Sequence, residues 1–135
     1  MKRTVTAIVG AALALTGTQA TAQTRQEKGE ARLAEMIEGR TAGEPRSCIP
    51  AMRSFDLEVI EYVGFVYDAG DTIWVARARD PRSLSTNDVP IIRRVNSQLC
   101  RQDVIRTVDR YTNFTTGAVF LEDFVPYKKA ETEEG

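Results

Sequence analysis

The chain has 135 residues, 42% of them apolar and 27% charged, with a formal net charge of −1, two cysteines and no histidine. That length allows one domain, and the composition is that of an ordinary soluble globular protein. So small a net charge is too weak to imply a nucleic-acid partner or an anionic membrane surface, and the missing histidine removes the commonest general base and zinc ligand.

Residues 1–22 read as a secretory signal peptide. Lys2 and Arg3 give a positive start, Val5 to Leu15 form an apolar run too short to span a bilayer comfortably, and Ala20-Thr21-Ala22 offers a small-x-small cleavage pattern before Gln23. An uncleaved N-terminal anchor is the competing reading, and the absence of a cysteine at the cleavage point argues against a lipoprotein. Cleavage at Ala22-Gln23 leaves 16 bases against 19 acids, a net −3. No second apolar run follows, so the expectation is an exported protein, periplasmic or secreted, with no stable membrane anchor. In an oxidising compartment two thiols usually pair, which predicts a Cys48–Cys100 disulfide. Two buried free thiols or a redox site are the alternatives, and the lack of a Cys-x-x-Cys pair disfavours the second.

Residues 24–38 have the pattern of a helix. Thr24 and Glu27 fit a capping box, Leu33, Ala34, Met36 and Ile37 make an apolar stripe, and Gly39 suits the C-terminus. Gly29 weakens its first turns by about 1 kcal/mol. Gly43 and Pro45 then break the helical pattern, and from Cys48 the period moves towards two. Strands are expected at 56–61 and 63–68, with Val63, Phe65 and Tyr67 on one face. Asp68-Ala69-Gly70-Asp71 is a hairpin turn. The strand at 72–78 is apolar on both faces around Trp74, which places it centrally in a sheet. Residues 89–94 form a strand with Pro90 at its start. Residues 103–110 alternate Val104, Arg106 and Val108 against Ile105, Thr107 and Asp109. Residues 118–121 and 124–127 are the last strands.

The expected fold is therefore mainly β: a small antiparallel sheet or barrel of about five or six strands, preceded by one N-terminal helix and held by one disulfide. Residues 23–43 are the helix and connector, 44–127 the β-rich domain, and 128–135 a charged, disordered tail.

Charge is segregated along the chain. Residues 56–71 hold five acids and no base, whereas residues 77–110 hold eight arginines against four aspartates. Either the two regions pair across neighbouring strands, or the arginines form a face that binds an anion. Arg106 and Arg110 are the candidate anion ligands, Arg106 because its row with Val104 and Val108 points it towards the less solvated side, where it needs a partner. No nucleophile–base pair, metal-ligand spacing or glycine-rich phosphate loop is present, so no catalytic residue, metal or cofactor is expected. Asp103 and Asp109 share a strand face but lie about 20 Å apart, too far to act together. Asp123 or Asp88 could still approach one of them across the sheet.

Glu38-Gly39-Arg40-Thr41-Ala42-Gly43-Glu44-Pro45-Arg46-Ser47-Cys48-Ile49, then Leu99-Cys100-x-x-Asp103, then Gly117 through Phe124-Val125-Pro126-Tyr127, resemble three blocks of a family of small exported proteobacterial proteins grouped as a domain of unknown function. The chain departs from that pattern at Glu61-Tyr62, at Ala76 and at Ala118-Val119-Phe120. The resemblance implies an exported, cysteine-bridged β-rich domain and brings no activity, substrate or partner. The function expected is a non-enzymatic binding or envelope-associated protein, its partner an envelope protein or a small anionic ligand. A small hydrolase or lyase using Asp and Arg side chains is the alternative.

Overall fold

The computed structural model describes residues 24–51, 56–93 and 96–130. The expected signal peptide and most of the expected tail lie outside them. Helix α1 (Arg25–Met36) begins with the expected capping box: Thr24 Oγ1 accepts from the Glu27 N–H, and the Glu27 carboxylate accepts from the Thr24 N–H. The apolar stripe holds for Leu33, Met36 and Ile37, while Ala34 is exposed. Gly39, at φ 72°, turns the chain into the sheet.

Ten strands follow: β1 (Arg40–Ala42), β2 (Cys48–Pro50), β3 (Leu57–Ile60), β4 (Gly64–Asp68), β5 (Thr72–Ala78), β6 (Asp88–Ile92), β7 (Gln98–Cys100), β8 (Ile105–Asp109), β9 (Thr115–Val119) and β10 (Leu121–Lys129). The mainly antiparallel β class is as expected, but the strands are more numerous, and β10 runs longer than either of the last two expected strands. They form a five-stranded sheet in the order β1-β10-β5-β4-β3, a three-stranded sheet β6-β8-β9 and a two-stranded ribbon β2-β7, and no sheet closes into a barrel.

Strands β4 and β5 sit inside the large sheet, so both of their faces need cover. One face, with Val66, Ile73 and Val75, packs under Leu33 of α1. The other, with Phe65, Tyr67, Trp74 and Ala76, packs against Ile49, Leu99, Ile105 and Val119 of the two smaller sheets. Val63 joins the helix side and not Phe65 and Tyr67, because it belongs to the tight turn before β4, where its N–H donates to the Ile60 carbonyl. A register shift in β10 lets Leu121 and Phe124, three residues apart, enter the same core.

Three boundaries move. The connector contributes β1, and Lys128 and Lys129, expected in the disordered tail, pair with Thr41 and Arg40. Pro90 lies at the middle of β6, not at its start, which is tolerated because β6 is an edge strand. Pro126 lies in the interior strand β10, facing Trp74. Its carbonyl accepts from the Gly43 N–H just past the end of β1, so its missing N–H falls on the side where that pairing stops.

Cys48 and Cys100 are bonded and are direct cross-strand partners in the β2-β7 ribbon. Arg101 N–H donates to the Ser47 carbonyl at 2.8 Å, the pattern of a non-hydrogen-bonded pair, the position where opposed side chains approach most closely.

Two outcomes test this packing. Gly29 lies where a β-carbon would stand 2.1 Å from the Glu61 carbonyl oxygen. Gly29→Ala should therefore lower stability to urea by about 1–3 kcal/mol, even though alanine favours a helix by about 1 kcal/mol. The disulfide spans 52 residues of sequence. The double substitution Cys48→Ala, Cys100→Ala should cost about 4 kcal/mol in the same measurement, and the unreduced, denatured protein should titrate no free thiol.

Candidate functional site

The three-stranded sheet has one row of side chains directed into the core and one directed outward. Ile105, Thr107 and Val119 point in and are almost fully buried. The outward row follows from register: Arg106 faces Ile91 and Ala118, and Val108 faces Val89 and Thr115. Arg106 is thus exposed, the reverse of the side expected from its alternation with Val104 and Val108. Both rows of β8 are partly apolar, and the neighbouring large sheet claims the Ile105 row.

The large apolar residues that remain exposed among the described residues all belong to this sheet and its ends: Ile91 (44%), Val104 (49%), Phe120 (52%), Phe114 (75%) and Tyr111 (78%). Sequence reasoning missed them as a group. Each sits singly in a strand or turn, and only the pairing of β6, β8 and β9 collects them.

Arginines run through the same face. Arg106 is central, and Arg93 follows β6 at the next outward position after Ile91. Neither has a carboxylate within 4.0 Å among the described residues. Among the described residues, no ion pair joins the acidic region 56–71 to the arginine region 77–110, the first of the two alternatives. Glu58 and Glu61 pair instead with Arg32 and Arg25 of α1, and Arg77 pairs with Glu30 of the same helix. The Arg77 guanidinium holds the Glu30 carboxyl below its ordinary value through a short hydrogen bond. Arg101 pairs with Asp123 and Arg82 with Asp80. The helix takes up Glu58 and Glu61, and the outward Arg93 and Arg106 are left without a carboxylate among the described residues.

Arg110 is placed differently from Arg106. Its Nη2 donates to the Thr86 carbonyl at 3.1 Å. It also lines a cleft of about 600 Å³ between the facing edges of β3 and β6, with Leu57, Glu58, Val59, Asp88 and Pro90. Glu58 in that cleft is bonded to Arg32, and the nearly buried Asp88 is bonded to the Ser85 N–H and the Thr116 hydroxyl, both at 2.8 Å. Thr116 Oγ1 is also 2.8 Å from Thr107 Oγ1. Its single proton belongs to the carboxylate, the stronger acceptor. The structure does not bring Arg106 and Arg110 onto one ligand: one stands on the open face, the other folds over the cleft rim beside two carboxylates.

The remaining aspartates have local structural roles. Asp103 Oδ2 accepts from the Cys100 N–H at 2.8 Å, which holds the turn after the disulfide. Asp109 faces Asp88 across β6-β8, but its Oδ1 turns onto the N–H groups of Thr112 and Tyr111, both at 2.9 Å, and the Thr112 hydroxyl. Those bonds make the hairpin tip at residues 110–114 a fixed loop carrying Tyr111 and Phe114. Among the described residues no cluster of cysteine, aspartate or glutamate has the arrangement of a metal site, and no helix is long and apolar enough to cross a membrane.

Comparison of the chain with protein-family models, with curated proteins and with solved structures finds no match.

The tip makes a pH prediction. Hydrogen bonds from the Thr112 and Tyr111 amides lower the Asp109 carboxyl below its ordinary 3.8. A depressed carboxyl stabilises the folded tip fully above that ordinary value and loses the effect as pH falls through its lower folded value. The amide resonances of Tyr111 and Thr112 should therefore shift together with a midpoint below 3.8, and Asp109→Ala should abolish the transition.

Proposed function

We propose that this chain is an exported, disulfide-stabilised, non-enzymatic binding protein of the cell envelope, which docks through the outward face of its three-stranded sheet. The observation that carries the reading is the gathering of Ile91, Val104, Phe120, Tyr111 and Phe114 with Arg93 and Arg106 on one sheet and its ends. Exposed apolar patches of this kind mark interaction sites on soluble proteins. The disulfide supports an oxidising compartment. So do the leader pattern of residues 1–22 and the sequence blocks that resemble small exported proteobacterial proteins.

A hydrolase or lyase has less support. Acid–base work needs convergent polar groups free to meet a substrate. In the cleft between β3 and β6, which holds carboxylates and an arginine, Glu58, Asp88 and Arg110 are each already hydrogen-bonded within the fold.

Site-specific photocrosslinking in the native envelope tests the docking face. With p-benzoylphenylalanine at exposed Ala118, irradiation should give a defined adduct, to protein or to lipid. The same probe at exposed Glu35, on the helix, should give none. Absence of an adduct at residue 118, or equal labelling at both positions, would overturn the reading.

A further inference from the structure

Resting on that docking reading, we infer that the surface on which the outward face docks is an anionic phospholipid bilayer, bound reversibly and without a spanning segment. Three features converge on it. First, the face combines apolar side chains with arginines in one row: Arg93 beside Ile91, and Arg106 at the centre between Ile91 and Ala118. Peripheral membrane surfaces pair the same two chemistries, apolar contact at the acyl boundary and cations at the phosphates.

Second, the acids of β6, β8 and the turn before β8 are turned away from that row, and Asp80, which borders the face beside Ala118 and Phe120, is paired with Arg82. Asp88 faces inward onto Ser85 and Thr116, Asp103 caps the Cys100 amide, and Asp109 folds into the tip. The outward row itself therefore carries only positive charge, which would orient the molecule at an anionic plane. Total charge misleads here, because what a surface meets within about 10 Å is the local arrangement.

Third, the leading end of the sheet is an aromatic tip. Tyr111 and Phe114 are the most exposed large apolar residues of the structure. The loop bearing them is set in place by Asp109, whose N–H also donates to the Phe114 carbonyl. A tyrosine and a phenylalanine on a pre-ordered turn suit the headgroup layer, where an apolar ring and a polar hydroxyl are both satisfied.

A second copy of the chain fits the face less well. Two-fold packing of these faces would set Arg93 and Arg106 near their own copies, with no acid in the row to answer them.

The experiment uses the disulfide-intact chain, residues 23–135, with vesicles of phosphatidylglycerol mixed into phosphatidylcholine and with pure phosphatidylcholine as reference. The protein should sediment with the anionic vesicles, stay in solution with the neutral ones, and be released at high salt. Arg106→Gln should weaken binding about fivefold, and the pair Tyr111→Ser, Phe114→Ser by about tenfold or more. Because these side chains are exposed, thermal unfolding should match the parent and exclude misfolding as the cause. In Phe114→Trp the new indole emission should shift to the blue on anionic vesicles only.

Failure to sediment with anionic vesicles would overturn the lipid assignment, as would binding that ignores both sets of substitutions. If a protein adduct still forms at residue 118, docking survives and the bilayer does not. If no adduct of either kind forms, the docking reading falls with it. A stable dimer in solution that loses its self-association on Arg106→Glu would also overturn the bilayer in favour of a second copy.

Discussion

The fold is governed by the two-sided apolar character of β4 and β5. Strands carrying Phe65 and Tyr67 on one side and Val66, Ile73 and Val75 on the other cannot rest against water on either face. Helix α1 covers one side. The β6-β8-β9 sheet and the β2-β7 ribbon cover the other. Each covering layer spends only its inner row, so the helix turns charged residues to solvent, where they pair with the edge of the sheet. Among the described residues the small sheet has no further layer above it, and its outer row keeps apolar side chains and arginines. The candidate site is what remains when the central sheet has been enclosed.

The second layer is held by a belt of local contacts around the disulfide. Cys48 and Cys100 join β2 to β7. Arg46 exchanges backbone hydrogen bonds with Phe124 and lays its guanidinium 5.9 Å from the Trp74 ring centre. Gly43 meets Pro126, where an added β-carbon would stand 3.1 Å from the proline ring. The three sequence blocks at residues 38–49, 99–103 and 117–127 thus converge: the first supplies β1 and β2, and the other two supply their pairing partners. Their spacing in the chain reflects one assembled structure.

Local chemistry made much of this legible. The Thr24–Glu27 capping box, the Asp68–Gly70 turn, in which the Gly70 N–H donates to Asp68 Oδ1, and the central place of the Trp74 strand all follow from short-range rules. The cysteine pairing followed from compartment logic. What did not follow depends on long-range partners. Gly29 reads as a weak helix residue until Glu61 is seen against it. Lys128 and Lys129 read as tail until β1 is placed beside them. Which row of β8 faces inward could not be read from β8, because Val104 and Val108 are as apolar as Ile105. The larger sheet decides that question, and with it the exposure of Arg106.

The position of β10 in the sheet has a consequence for the order of assembly. This strand follows every other described strand in the chain, yet it lies between β1 and β5, pairing Arg40 with Lys129 and Ile73 with Tyr127. The large sheet cannot be completed until its last strand is available, and such distant pairings close slowly. A chain built this way stays open until residues 121–129 are available. Both cysteines precede β10, so an oxidant can join them while the second core is still accessible. The covalent link would then shorten the remaining search, and insertion of β10 would be the step that locks the domain.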